Sequence, residues 1–255
     1  MLFQVGDLVT RNSYHNDTVF RIVAIDGDIA SLKGINIRLY ADSDLDDLKK
    51  VEVEKPIQDD DLILDRMESF LKLDRTEYFY LPGKVLHIDG DQEYLDRCMN
   101  FYKKLHIMAY GVRLREDEFK DELLHYLEEV RPDILVITGH DAYYKRTKNY
   151  KNSKYFLEAV RIARSYEKSQ DKLVIVAGAC QSNYEELIKA GANFASSPKR
   201  INIHALDPAI IASSVGLSDK NKPIDLIDIL NKTKYGHDGI GGIITNGMMY
   251  VGYPR

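Results

Sequence analysis

The chain has 255 residues, enough for one large domain or two modest ones with a sizeable buried core. Its 35 basic and 40 acidic side chains give a formal charge of −5, so the broad basic footprint of a general nucleic-acid binder is missing. At 44% hydrophobic and 29% charged residues wholesale disorder is excluded, and no apolar run reaches the roughly 18 residues of a membrane span. The opening residues lack a basic stretch followed by an apolar core, so no secretory signal is expected and an intracellular, reduced protein is the reading. Cys98 and Cys180 are too few for a disulfide framework or a four-thiolate zinc site, and no His, Asp and Glu cluster has zinc or calcium spacing. Neither a metal nor another cofactor is expected.

Residues 1–53 alternate short β-rich runs with turns. Strands are expected at 3–11, 19–25, 29–32 and 35–40, with turns at Gly27-Asp28 and Gly34. Short strands at this spacing predict a small barrel over residues 1–55, and the opening VGDLVTR resembles the first strand of SH3-like and KOW-like barrels. Asp42, Asp44, Asp46 and Asp47 near its end argue against nucleic acid. Residues 56–77 read as a helical connector. Pro56 opens it, Asp59-Asp60-Asp61 supplies an acidic first turn, and Leu62, Met67, Phe70, Leu71 and Leu73 give an apolar face.

From residue 78 to 255 apolar strands alternate with amphipathic helices. Strands are expected at 85–88, within 106–114, at 134–138, 173–177 and 192–195. Helices are expected at 91–104, 116–129, 153–168, 183–190, 207–215 and 224–230. Gly239, Gly241 and Gly242 read as a flexible loop or the entry to a hairpin, and residues 243–251 as a hairpin turning at Asn246-Gly247. The alternation predicts an α/β domain with a mostly parallel sheet covered by helices on both faces. Ligands in such sheets bind at the carboxyl ends of the strands.

Three strand ends carry reactive groups: KVLHIDGD, DILVITGHDA and LVIVAGACQS. His140 and Cys180 end two apolar strands separated by one helical crossover, which makes those strands candidates for neighbours. A thiol must ionise to attack, and a nearby imidazole favours the thiolate and can protonate a leaving amine. Gly178 permits a sharp turn after the strand, and amides at such a turn can face a developing oxyanion. Against this, a lone cysteine is most often a small buried hydrophobe. Cys98, on an apolar helix face, has that role, and His87, inside a strand, reads as structural. Asp207-Pro208 is also a helix start with Pro at the first helical position, and Asp91 stands where it can cap the following helix.

A strand ending in His followed, one structural unit later, by a strand ending in Ala-Cys resembles the arrangement of caspase-like cysteine peptidases. Gly139-His140 and Ala179-Cys180 match that order. The clan has Gly after its His and uses that amide in the oxyanion hole. Here Gly139 precedes His140 and Asp141 follows it. Longer blocks are similar to the YabG family of sporulation-specific proteases: FQVGDLVTRNSY, RLYADSDLDDL, PGKVLHIDGD, RPDILVITGHDAY, VIVAGACQSNYEELIKAGANFASSPKRINIHALDP and the closing GIGGI. These span nearly the whole chain.

The resemblance implies a peptidase of the mother-cell cytoplasm, made during sporulation and associated with the forming coat. It would trim spore coat and cortex morphogenetic proteins after arginine, with no nucleic-acid or membrane partner. It carries the catalytic pair onto His140 and Cys180, with Gly139, Asp141 and Gln181 as oxyanion or cleft residues. A guanidinium calls for a carboxylate. Some arginine-specific members of the clan place an Asp two residues before the Cys, where this chain has Gly178, so Asp89, Asp91, Asp141 and Asp207 are the candidates and none stands above the others. Ser196-Ser197-Pro198-Lys199-Arg200 reads as a cleft-lining or solvated loop, with Lys199-Arg200 a point of self-processing. Two alternatives stand beside this reading. One is another cysteine amidase using Gly178-x-Cys180-x-Ser182 as a nucleophile elbow, with His204 or His237 as base. The other is a non-catalytic coat scaffold.

Overall fold

The computed structural model describes residues 3–51, 59–67, 72–73 and 76–254. The chain separates into two compact units, Met1–Asp61 and Leu62–Arg255.

The first unit is an antiparallel sheet of β1 (Leu8–Arg11), β2 (Phe20–Asp26), β3 (Ile29–Gly34), β4 (Tyr40–Asp44) and β5 (Leu48–Lys50), in the order β4-β3-β2-β1-β5. Val9, Phe20, Ile22, Ala30, Leu32 and Leu48 fill its core. Gly27 takes a left-handed φ of 58° in the β2–β3 turn, which Gly does without steric cost. The end strands β4 and β5 do not pair with each other among the described residues, so the sheet is open and not the expected closed barrel. The strand expected at 35–40 is displaced. Gly34 N–H donates to Leu39 O and Leu39 N–H to Ile37 O, folding this stretch on itself before β4 begins at Tyr40.

Following the first sheet in the chain, α1 (Asp60–Arg66) has Asp60 and Asp61 in its first turn, as the helix dipole favours. Ile63 and Met67 are buried in the second unit. Phe70 and Leu71, assigned to the same apolar face, lie outside the described residues.

The second unit is built on a six-stranded sheet of β7 (Val85–Asp89), β8 (Ala109–Arg113), β9 (Ile134–Thr138), β12 (Val174–Ala177), β13 (Phe194–Ser196) and β14 (Ile240–Gly242), in the order β14-β13-β12-β9-β7-β8. All pairings are parallel except β13–β14. Between β9 and β12 lies a short hairpin, β10 (Tyr143–Tyr144) with β11 (Asn149–Tyr150); β6 (Phe79–Leu81) pairs with β15 (Tyr250–Gly252). The helices are α2 (Gln92–Lys104), α3 (Phe119–Val130), α4 (Ser153–Tyr166), α5 (Tyr184–Ala190), α6 (Asp207–Gly216) and α7 (Leu226–Asn231).

β9 is buried at every residue, which is why it reads as an unbroken apolar run. Its side chains alternate between two cores. Ile134 and Val136 join α2, α6 and α7 on one face; Leu135 and Ile137 join α3, α4 and α5 on the other. The sheet is therefore covered by helices on both faces, as expected. Phe156, fully buried on α4, shows the scale: truncation to Ala would cost about 3–5 kcal/mol.

The C-terminal hairpin does not form. Gly247 N–H donates to Lys222 O, Met248 N–H to Val215 O and Met249 N–H to Ser218 O, so the backbone around Asn246-Gly247 bonds the end of α6 and the segment after it instead of itself. Nor are Gly241 and Gly242 a flexible loop. They form β14 opposite Ala195 and Phe194, and a Cβ at Gly241 would stand 2.6 Å from the Tyr184 hydroxyl.

Candidate active site

β9 and β12 are adjacent and parallel, with Ile137 opposite Ala177. His140 lies three residues beyond Ile137 and Cys180 three beyond Ala177, so both leave the same sheet edge from matching positions. Asp89, opposite Thr138, ends β7 at that edge. Gly178 has φ 103°, and a Cβ there would stand 2.9 Å from Leu187 Cδ1, so the turn toward Cys180 needs glycine.

The His140 loop is fixed by polar side chains. Its Nε2 lies 3.1 Å from Asp91 Oδ2. The other Asp91 oxygen, Oδ1, accepts from the Glu93 and Tyr94 amides and caps α2. Asp89 Oδ1 accepts the Asp91 N–H at 2.9 Å. His140 N–H donates to Glu116 Oε1 at 2.7 Å, and Asn152 Nδ2 donates to His140 O at 2.8 Å. The imidazole is about one quarter exposed, whereas Asp91 is only 7% exposed. Asp91 Oδ2 is placed to accept Nε2–H and so to fix the orientation of the ring.

Cys180 is 2% exposed. Its Sγ accepts the Ile203 N–H at 3.2 Å and stands 4.0 Å from Ile203 O, and the side chain joins the apolar core beneath the sheet. Gln181 has φ 59°, unusual for a residue with a Cβ. Its N–H donates to Ile201 O, its Nε2 to Asn202 Oδ1, and its Oε1 accepts the Tyr143 N–H. Gln181 thus ties the Cys180 loop both to the hairpin after His140 and to the 201–203 segment.

The remaining acids hold the scaffold. Asp141 accepts from the Ala142 and Asn152 amides and from the Ser153 and Ser182 hydroxyls. Ser182 Oγ in turn accepts the Ala179 N–H, so Asp141 joins the loops of His140 and Cys180. Burial pushes its carboxyl above the usual aspartate value despite these donors. Asp207 is fully buried and accepts the His204 and Lys234 amides. Asp89 is fully buried beside His87, whose Nδ1 is 3.0 Å from the Tyr102 hydroxyl. His204 is fully buried with Nδ1 accepting the Leu206 N–H, and the His237 side chain is 82% exposed. Gly139 packs under Glu116, since a Cβ on it would stand 2.5 Å from Glu116 Oε1.

Glu116, Asn152, Ser153 and Ser182 escaped the sequence reading. Glu116 opens a helix in a run of acids and carries no local mark of its partnership with His140. Ser182 was visible only as the last position of Gly178-x-Cys180-x-Ser182.

The model of the family described as YabG peptidase U57 matches residues 4–254. The chain belongs to that family. A YabG relative, the sporulation-specific protease YabG of Bacillus subtilis (strain 168), is 41% identical over 286 residues, covering 100% of this chain and 99% of the relative. A YabG-family member is a sporulation protease, so proteins are its substrates. Among the described residues no helix is long and apolar enough to cross a membrane, and no group of three or more His, Cys, Asp or Glu side chains could hold a metal ion.

Proposed function

We propose that this YabG-family chain is a cysteine endopeptidase with a caspase-like arrangement, in which Cys180 is the nucleophile and His140 the general acid and base. The observation that carries this is the register. His140 and Cys180 stand three residues beyond paired positions on adjacent parallel strands, and the His is held by a buried carboxylate.

His140 takes the thiol proton on Nδ1, and Asp91 stabilises the imidazolium through Nε2. The thiolate attacks the scissile carbonyl carbon. As the tetrahedral intermediate collapses, the imidazolium gives its proton to the departing amine, leaving a thioester on Cys180. His140 then takes a proton from water, the resulting hydroxide adds to the thioester, and loss of the thiolate releases the acid. Asp91 acts through His140 and is a positioning residue.

Substrates under this reading are spore coat and cortex morphogenetic proteins in the mother cell, cut after arginine. The test is cleavage of a peptide with a single arginine by the wild type and by Cys180→Ala. Cleavage after arginine that the variant loses is the expected result. Equal cleavage by both removes Cys180 as nucleophile and returns the choice to a different hydrolase. Binding of a coat-protein substrate without cleavage by either supports the scaffold.

A further inference from the structure

Arg200 is held in a cradle built by its own chain. Its Nε donates to the Tyr150 hydroxyl at 2.9 Å, its guanidinium carbon stands 5.2 Å from the centre of the Tyr143 ring, and its Nη2 lies 3.6 Å from Glu185 Oε2. These three partners belong to the two loops that carry the reactive pair. Tyr143 and Tyr150 face each other across the β10–β11 hairpin that follows His140, with ring centroids 4.9 Å apart. Glu185 sits in the first turn of α5, which follows Cys180.

The stretch that carries Arg200 continues along the nucleophile loop. Ile201 O accepts the Gln181 N–H, Asn202 Oδ1 accepts from Gln181 Nε2, and Ile203 N–H reaches Cys180 Sγ. A peptide bearing an arginine therefore already lies against Cys180. Its guanidinium rests against one phenol ring, a phenol hydroxyl and a carboxylate, the chemistry that favours this planar cation over a lysine ammonium. Arg200 and Glu185 side chains are 41% and 52% exposed. A pair this exposed contributes little to folding, so Arg200 can leave without unfolding the unit.

We propose that Tyr143, Tyr150 and Glu185 form the subsite for the guanidinium of a substrate arginine, and that Arg200 is its resident internal competitor. This rests on the reading of the chain as an arginine-directed cysteine peptidase. It supplies the acid that reading lacks: Glu185 in place of Asp89, Asp91 or Asp207, whose carboxylates hold backbone amides.

The experiment measures binding rather than turnover. Full-length Cys180→Ala protein is titrated calorimetrically with a short capped peptide containing one arginine, and with its lysine counterpart. Adding Arg200→Ala should tighten the arginine peptide by about fivefold, the yield of a released competitor held by one cation–π contact and one exposed ion pair. On that background Glu185→Gln and Tyr143→Ala should each weaken it by about fivefold, and Tyr143→Ala should affect the lysine peptide less. Unchanged affinity in Glu185→Gln and Tyr143→Ala overturns the subsite. Unchanged affinity in Arg200→Ala overturns the competitor. Both are read on a protein that cannot turn over through Cys180. Failure of the peptidase reading shows separately, as wild-type protein that does not cut the arginine peptide.

Discussion

The two strand ends that meet at the site are built in opposite ways. At the end of β9, His140 keeps its ring partly exposed and is braced by the side chains of Asp91, Glu116 and Asn152. At the end of β12, Cys180 is 2% exposed and is met by the backbone of Ile203. His140 is held by side chains, whereas the Cys180 thiol lies against the Ile203 backbone. Orientation of an imidazole needs directional carboxylate and amide partners that hold in water.

The sharpest break in this comparison is removal of the proposed base. His140→Ala should lower kcat/KM by about 10³, within the range for a lost general acid and base. His87→Gln is the control one strand away, since His87 is fully buried against Tyr102 and Asp89. It should lower stability by about 1–3 kcal/mol, the cost of disturbing a buried hydrogen bond, while kcat stays near wild type. Peptide kinetics alongside urea melts followed by tyrosine fluorescence decide it. Equal loss of kcat in both variants would mean that His140 has no special place.

Asp91→Asn tests how the base is held. Asn caps helices as well as Asp, so α2 keeps its cap while His140 loses its anionic partner. An Asp→Asn change in the serine-protease triad costs about 10⁴ in kcat, an upper bound for a thiol enzyme; we expect about 10² here, with little change in melting temperature. Full kcat in this variant would reduce Asp91 to a cap.

Asp141→Ala strikes both strand ends at once. Four donors lose their acceptor: two amides and the hydroxyls of Ser153 and Ser182. Leaving buried donors unmet costs about 1–3 kcal/mol each, so a net loss of about 3 kcal/mol is expected after partial rescue by water. The loss should show in denaturant melts of the full chain. A change below about 1 kcal/mol would show that the loops are tied by other contacts.

What could be read ahead of the structure follows from the range of each interaction. The parallel strands announced themselves because burial on both faces forces an unbroken apolar run, as at 134–138. That His140 and Cys180 leave the same sheet edge was legible because strand order and a single crossover make their strands neighbours. Asp91 was read as a helix cap, which it is, but its reach to His140 spans 49 residues and leaves no trace in spacing. Asp207 shows the converse, since a fully buried acid bonded to two amides looks the same in sequence as one that lines a pocket. Asn246-Gly247 has the composition of a tight hairpin, yet the backbone after α6 offered those amides better partners. In the first sheet the folded 34–39 stretch likewise displaces β4 to Tyr40–Asp44, in the acidic run.

The smallest effect separates the two units by pH. In the first unit Asp47 accepts from the Ser13 hydroxyl and amide, and these bonds hold its carboxyl below the usual value of 3.8. Its stabilisation is present above that value and is lost as pH falls through the lowered one. In the second unit burial raises Asp141 above 3.8, so the folded chain binds this proton more tightly than the unfolded chain does. The Asp141 contribution is therefore full below 3.8 and declines as pH rises through the raised value. Asp141→Asn should make stability climb more steeply with pH just above the ordinary aspartate range, and Asp47→Asn should make it climb less below it. The Asp141→Asn change is a fraction of the about 1.4 kcal/mol per pH unit that one full proton contributes, and the Asp47→Asn change has the opposite sign. Urea titrations at closely spaced pH values will resolve the slopes. Slopes that move in the same direction in the two variants would contradict the opposite environments of the two acids.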